Sequence, residues 1–236
     1  MLEERREGAV AWLIFDRPEN LNAFTIDGYH QLRVALERLE LDDTVRAVVM
    51  TGRGRAFSAG ADRSLLESAA DGSESRRAGE EFSRLLEVLG GFPKPLFAAV
   101  NGLAVGFGCT LLLYCDVVML AQSARLRLPF TALGIVPEAG STALLPRRMR
   151  WADAMWAMLS GEWIDAATAV ASGLALRAVA DEDLNDEVAC ASELVSALDP
   201  RSVAATKRLL TAGQFNAARE AIGRELEEMR TIRSGH

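Results

Sequence analysis

Between Pro95 and Cys115 the chain carries no charged residue. An uncharged run of that length is either a membrane-spanning helix or deeply buried protein. Asn101, Gly102, Gly106 and Gly108 interrupt it, and it leaves a Pro93-Lys94-Pro95 turn. Glycine and asparagine at those points break a continuous helix and mark turns. The segment therefore reads as a buried strand over 96–100, a glycine loop, and a buried helix over 106–114. Hiding it requires a sizeable core. At 236 residues and 50% apolar composition the chain supplies one without a disulfide or metal staple.

The flanking sequence repeats the theme. Val10–Phe15, Val45–Thr51 and Asp116–Ala121 read as strands. Thr25 or Asp27 caps a helix running to about Leu41, with Leu32, Leu36 and Leu39 on one face. Residues 52–62 read as a glycine-rich loop, 67–79 as a polar, mobile stretch, and 80–89 as a helix. Strands alternating with helices predict βαβ units, hence an α/β fold. From about residue 150 the pattern turns helical, over 151–160, 166–172, 184–198 and 201–230. We therefore divide the chain into a core over 1–180 and a helical C-terminal region over 181–236. The sequence shows no internal repeat and no flexible linker.

The formal net charge is −7, which disfavours nucleic acid and anionic membranes as general partners. Arg147, Arg148 and Arg150 read as a solvated helix start. The three cysteines, Cys109, Cys115 and Cys190, form no Cys-x-x-Cys and read as small buried hydrophobes of a reducing compartment. Two histidines, His30 and His236, are too few for a histidine metal cluster; His30 reads as a surface or packing residue and His236 as mobile. Residues 1–10 lack the apolar core of a secretory signal, so a cytoplasmic location is expected.

Several chemistries are excluded by motif. No Gly-x-Ser-x-Gly elbow occurs, and no Gly-Lys-Ser/Thr follows the glycines. The third glycine of a dinucleotide-binding loop is misplaced after Gly52 and Gly54. Two other glycine loops share a form: residues 55–62 (RAFSAGAD) and 101–110 (NGLAVGFGCT) each follow a buried strand. Small residues allow close approach to a ligand, and free amides at a helix start favour negative charge. Two such loops side by side form either an oxyanion hole or two tight packing turns.

These motifs resemble the crotonase, or enoyl-CoA hydratase/isomerase, superfamily over nearly the whole chain. Asp16 to Ala23 (DRPENLNA) matches the first motif, Arg55 to Asp62 the second, and Ala99 to Cys109 with Cys115-Asp116 the third. Leu133 to Pro137 and Ser160-Gly161-Glu162 fit the downstream pattern. The resemblance implies a spiral of ββα units, C-terminal helices that assemble a homotrimer or hexamer, and an acyl-CoA thioester as ligand. Coenzyme A belongs to the substrate, and no separate cofactor or metal is implied. By motif position the amides of Ala61 and Phe107 hold the thioester oxygen. Phe107 departs from the usual glycine, which a backbone donor tolerates if the ring points away. The ring is also positioned to narrow the acyl pocket. Asn22, Ala23, Ala59, Gly60, Asp62, Gly106 and Phe130 are the implied substrate-binding positions. Arg17 and Arg55 are candidates for the coenzyme A phosphates, and Ser64 stands near where the family often has a lysine. Asp62 is also a candidate brace of its loop, and Asp116 a structural hydrogen-bonding residue. The acyl pocket depth is expected to depend on residues 64–92.

Carboxylates then separate the reactions. The family's hydratases hold water between two glutamates, and Thr110 and Phe130 occupy those positions here. Losing an acid–base group costs roughly 10²–10⁴-fold. Glu138, in a Pro-Glu-Ala-Gly-Ser stretch, resembles the single base of the Δ3,Δ2-enoyl-CoA isomerase branch. Apolar neighbours such as Phe130, Ile135 and Val136 are expected to raise its pKa. The expected function is isomerisation of a 3-enoyl-CoA to a 2-enoyl-CoA. The alternatives are an enoyl-CoA hydratase or other enolate reaction, and a non-catalytic acyl-CoA binder.

Overall fold

The computed structural model describes residues 1–67 and 72–235. Residues 68–71, within the stretch read as mobile and as lining the acyl pocket, lie outside the described residues, as does His236. Two sheets carry the core. The larger orders its strands β1 (Leu2–Glu7), β2 (Val10–Phe15), β3 (Ala47–Gly52), β5 (Leu96–Val100), β7 (Val117–Ala121) and β10 (Arg177–Val179). The smaller orders β4 (Ala56–Ser58), β6 (Leu103–Val105), β8 (Arg125–Arg127) and β9 (Ile164–Asp165).

The order shows how the chain coils. Each unit gives one strand to the large sheet, the next to the small sheet, then a helix. Thus β3 and β4 precede α2 (Arg63–Glu67) and α3 (Gly72–Gly91), β5 and β6 precede α4 (Phe107–Thr110), and β7 and β8 precede α5 (Ser141–Arg148). Successive units pair in parallel, β3 with β5 with β7 and β4 with β6 with β8. This is the ββα spiral. The central strands β3 and β5 of the large sheet are buried almost without exception, which explains their continuous apolar runs.

The uncharged run opens with β5 as read, but the expected glycine loop contains β6, and the expected helix over 106–114 is the short α4 followed by a 3-10 turn over Leu111–Tyr114. Among the described residues no helix is long and apolar enough to cross a membrane. Helix α1 (Ile26–Leu41) is capped by the Thr25 side chain, which accepts from the Gly28 amide, and buries Leu32, Leu36 and Leu39.

Several readings change. Leu2–Glu7 is a strand, antiparallel to β2, which its run of charges conceals. It is an exposed edge, where charged side chains discourage further pairing. The supposed loop over 52–62 contains β4. The helix expected over 201–230 is two, α9 (Pro200–Leu210) and α10 (Gln214–Ser234), broken where Gly213 turns left-handed at φ 75°. Cys190 is exposed, whereas Cys109 and Cys115 are buried. Arg148 is not solvated: it ends α5 largely buried, donating to the Leu113 and Cys115 carbonyls. Helix α8 (Leu184–Ser196) packs on the large sheet, and α10 packs on α5.

Candidate functional site

The two glycine loops meet. Phe24 forms an isolated parallel bridge with Ala61: its amide donates to the Gly60 carbonyl at 2.7 Å, and its carbonyl accepts from the Asp62 amide at 2.8 Å. That pairing turns the intervening Ala61 amide to the other side, where it meets no acceptor among the described residues. Phe107 is the first residue of α4, so its amide has no partner within the helix. Gly106 before it sits at φ 53°, ψ −121°, a conformation open essentially to glycine. Gly60, at φ +87°, brings the loops into contact: a methyl there would stand 2.6 Å from the Val105 carbonyl oxygen and 3.1 Å from the Phe107 amide nitrogen. Ala61 therefore follows directly on a residue in contact with Phe107.

The Phe107 ring turns into the core. It packs edge-on against Phe24, Tyr29 and Phe82, at centroid distances of 5.2, 5.4 and 5.0 Å. Tyr29 stacks flat on Phe24. Burial first, then the charges of Glu138 and Asp62, push the Tyr29 phenol well above its ordinary value.

Glu138 lies on the loop between β8 and α5. Its carbonyl and that of the next residue are both held. The Ser141 amide donates to its carbonyl at 3.1 Å, and the Tyr114 hydroxyl donates to the Ala139 carbonyl at 2.7 Å. Ala139 and Gly140 are both left-handed, at φ 61° and 66°. No donor among the described residues reaches the Glu138 carboxylate. Burial, and then the nearby charge of Glu225, push that carboxyl up to about 7. A carboxyl in that range gives and takes a proton near neutrality.

The neighbouring carboxylates are committed. Asp62 accepts from Arg17 at 3.0 Å and from the Ser64 amide and hydroxyl. Burial opposes its charge, but those bonds outweigh it and hold the carboxyl below its ordinary value. Arg17 also donates to the Ala23 carbonyl, so it braces loops instead of standing free for a phosphate. Arg55 is exposed. Asp116 accepts from the Leu96 amide and from Lys207, both at 2.7 Å, a structural role.

Asn22, expected at the substrate, is fully buried. Its side chain accepts from the Arg17 amide and donates to the Arg53 and Ala56 carbonyls. Every polar atom of that side chain is engaged, so it ties the first motif to the second. Ala23 and Gly60 are buried and Ala59 is half-buried, all within the paired loops. Thr110 is fully buried and Phe130 nearly so. Neither side chain carries a carboxyl. Glu225 on α10 was not singled out by sequence. It accepts from the Gly140 amide, the Thr142 amide and the Thr142 hydroxyl at 2.8, 3.0 and 2.7 Å. A cavity of about 1040 Å³ between α9, α10 and the large sheet reaches Tyr114 and Leu144 but not Ala61, Phe107 or Glu138.

The family profile described as enoyl-CoA hydratase/isomerase matches residues 5–232. The chain belongs to the enoyl-CoA hydratase/isomerase family of acyl-CoA enzymes. It is 38% identical over 208 residues to a probable enoyl-CoA hydratase of Rhodobacter capsulatus, covering 88% of this chain and 79% of that one. It is also 38% identical over 183 residues to the 1,2-epoxyphenylacetyl-CoA isomerase of Escherichia coli, covering 76% and 70%. The crystal structure of an enoyl-CoA hydratase/isomerase from Pseudoalteromonas atlantica superposes with a TM-score of 0.89 at 36% identity, covering 98% of this chain and 90% of that one. The ββα spiral is therefore the crotonase fold.

Proposed function

We propose that this enzyme isomerises a 3-enoyl-CoA to the conjugated 2-enoyl-CoA, with Glu138 as its single acid–base group. The observation that carries the reading is the state of Glu138. It is the carboxylate of the site that no donor among the described residues engages, and burial poises it near 7. Asp62 and Glu225 are held by hydrogen bonds, and Thr110 and Phe130 supply no second acid.

The chemistry follows from that arrangement. The thioester oxygen accepts from the Ala61 and Phe107 amides. Glu138 takes a proton from C2, and the electron pair delocalises over the thioester as a dienolate. Preorganised amides stabilise the charge that develops on oxygen. The same carboxyl, now protonated, returns the proton at C4, so the double bond moves and no atom is gained or lost. The reaction needs no cofactor beyond the coenzyme A of its substrate.

A hydratase is the second reading, favoured by the name of the Rhodobacter relative. It requires water activated between two acid groups, and one such group is supplied here. Mixing the enzyme with a 3-enoyl-CoA and, separately, with a 2-enoyl-CoA distinguishes the two: isomerisation raises the absorbance of the conjugated thioester, and hydration lowers it. Exposed Trp151, Trp156, Leu159 and Trp163 favour self-association, in keeping with a trimer or hexamer.

A further inference from the structure

We propose that Glu225, carried in from the C-terminal helix, is a positioning residue for Glu138, its carboxylate gathering three donors of the 140–142 turn and so fixing where Glu138 points. The inference rests on reading Glu138 as the base.

The geometry is specific. Eighty-five residues separate Glu225 from Gly140, yet its two oxygens divide the turn between them. One accepts from the Gly140 amide at 2.8 Å, and the other from the Thr142 amide and hydroxyl at 3.0 and 2.7 Å. These amides open α5 and have no partner within the helix. No side chain of the turn itself caps them. Glu225 is 7% exposed, an expensive place for a carboxylate unless it is fully bonded. The turn it holds follows Ala139, a non-glycine residue in the left-handed region, directly after Glu138. Such a conformation persists only where its surroundings impose it. Tyr114 completes the clamp from the spiral side through the Ala139 carbonyl. Gly140 is pressed against α10 itself: a methyl there would meet the Ala218 carbonyl oxygen at 2.8 Å.

Glu225 also acts through its charge. Burial raises its own carboxyl, against the bonds from Thr142 and Gly140 and the charge of Arg224. Its charge is the second cause, after burial, of the high Glu138 value. The other titratable groups facing this pair are Tyr29 beside Glu138, and Tyr114 beside Glu225, with Glu87 beyond it. Glu87 is itself paired with Arg219 of α10.

The test is carboxyl-detected NMR of the full chain labelled at glutamate, with amide exchange, on wild type, Glu138→Gln and Glu225→Gln. Glu138→Gln identifies the resonance of Glu138. In Glu225→Gln the Glu138 midpoint is expected to fall from about 7 toward the ordinary glutamate range. The Gly140 and Thr142 amides are expected to exchange faster, and kcat to drop roughly 10²-fold with KM little changed. An unchanged midpoint together with unchanged exchange overturns the proposal. Should Glu225→Gln not fold, Glu225→Asp keeps the charge and withdraws it by one methylene. Faster exchange at Gly140 supports the proposal there, and wild-type exchange overturns it. Full turnover in Glu138→Gln instead refutes the base, and is read in a different variant.

Discussion

Gly60 lies so close to Phe107 that a single added methyl would stand 3.1 Å from the Phe107 amide nitrogen. Two loops, forty-seven positions apart in sequence at these residues, are thereby in van der Waals contact. The prediction is that Gly60→Ala separates the two amides. The methyl also meets the Val105 carbonyl at 2.6 Å, and alanine is strained at φ +87°. Losing one oxyanion donor costs about 10²–10³-fold in kcat. Steady-state kinetics should show that loss, while the Glu138 midpoint stays in place.

The pH profile follows from Glu138. A base must be unprotonated to take the C2 proton, and this carboxyl is pushed up to about 7. The kcat/KM for a 3-enoyl-CoA should rise with pH, reach half its plateau near pH 7, and level off above. An ordinary exposed glutamate would place that midpoint near 4.3.

The same shift has a cost in stability. A carboxyl whose folded value exceeds its unfolded one binds more protons when folded, so stability falls as pH rises between the two values. Above about pH 7 the full penalty applies, and below about 4.5 it vanishes. Glu138→Gln should therefore melt a few degrees higher than wild type at pH 8 and at the same temperature near pH 4.5. Thermal denaturation at the two pH values checks the sign.

Asn22 is expected to matter for folding, not for binding. Its removal strands the Arg17 amide and one or both of the Arg53 and Ala56 carbonyls. Asn22→Ala should cost on the order of 3 kcal/mol, read as a lower denaturant midpoint.

Much of this was legible in sequence. The buried strands β2, β3, β5 and β7 announce themselves as apolar runs, and α1 by its Thr25 cap and leucine face. The glycine loops and Glu138 stand out in sequence by motif, and the structure brings the two loops into contact at Gly60 and Phe107. Strand β1 escaped because its side chains, Glu3 to Arg6, are exposed and charged. The break at Gly213 escaped because one glycine in a helical pattern is often tolerated. The tie that the Asn22 side chain makes between two loops was not legible, because a motif position says nothing of which way a side chain turns. Glu225 left no local signal: it sits in a run of charged residues on α10, and only the fold brings it to Gly140.

The central claim is tested most directly by ultraviolet absorbance of a 3-enoyl-CoA mixed with the wild-type enzyme and with Glu138→Gln. Conjugation of the double bond with the thioester raises the signal. The account predicts a rise with wild type and a loss of roughly 10²–10⁴-fold in rate with the variant. Equal rates in the two proteins would contradict it.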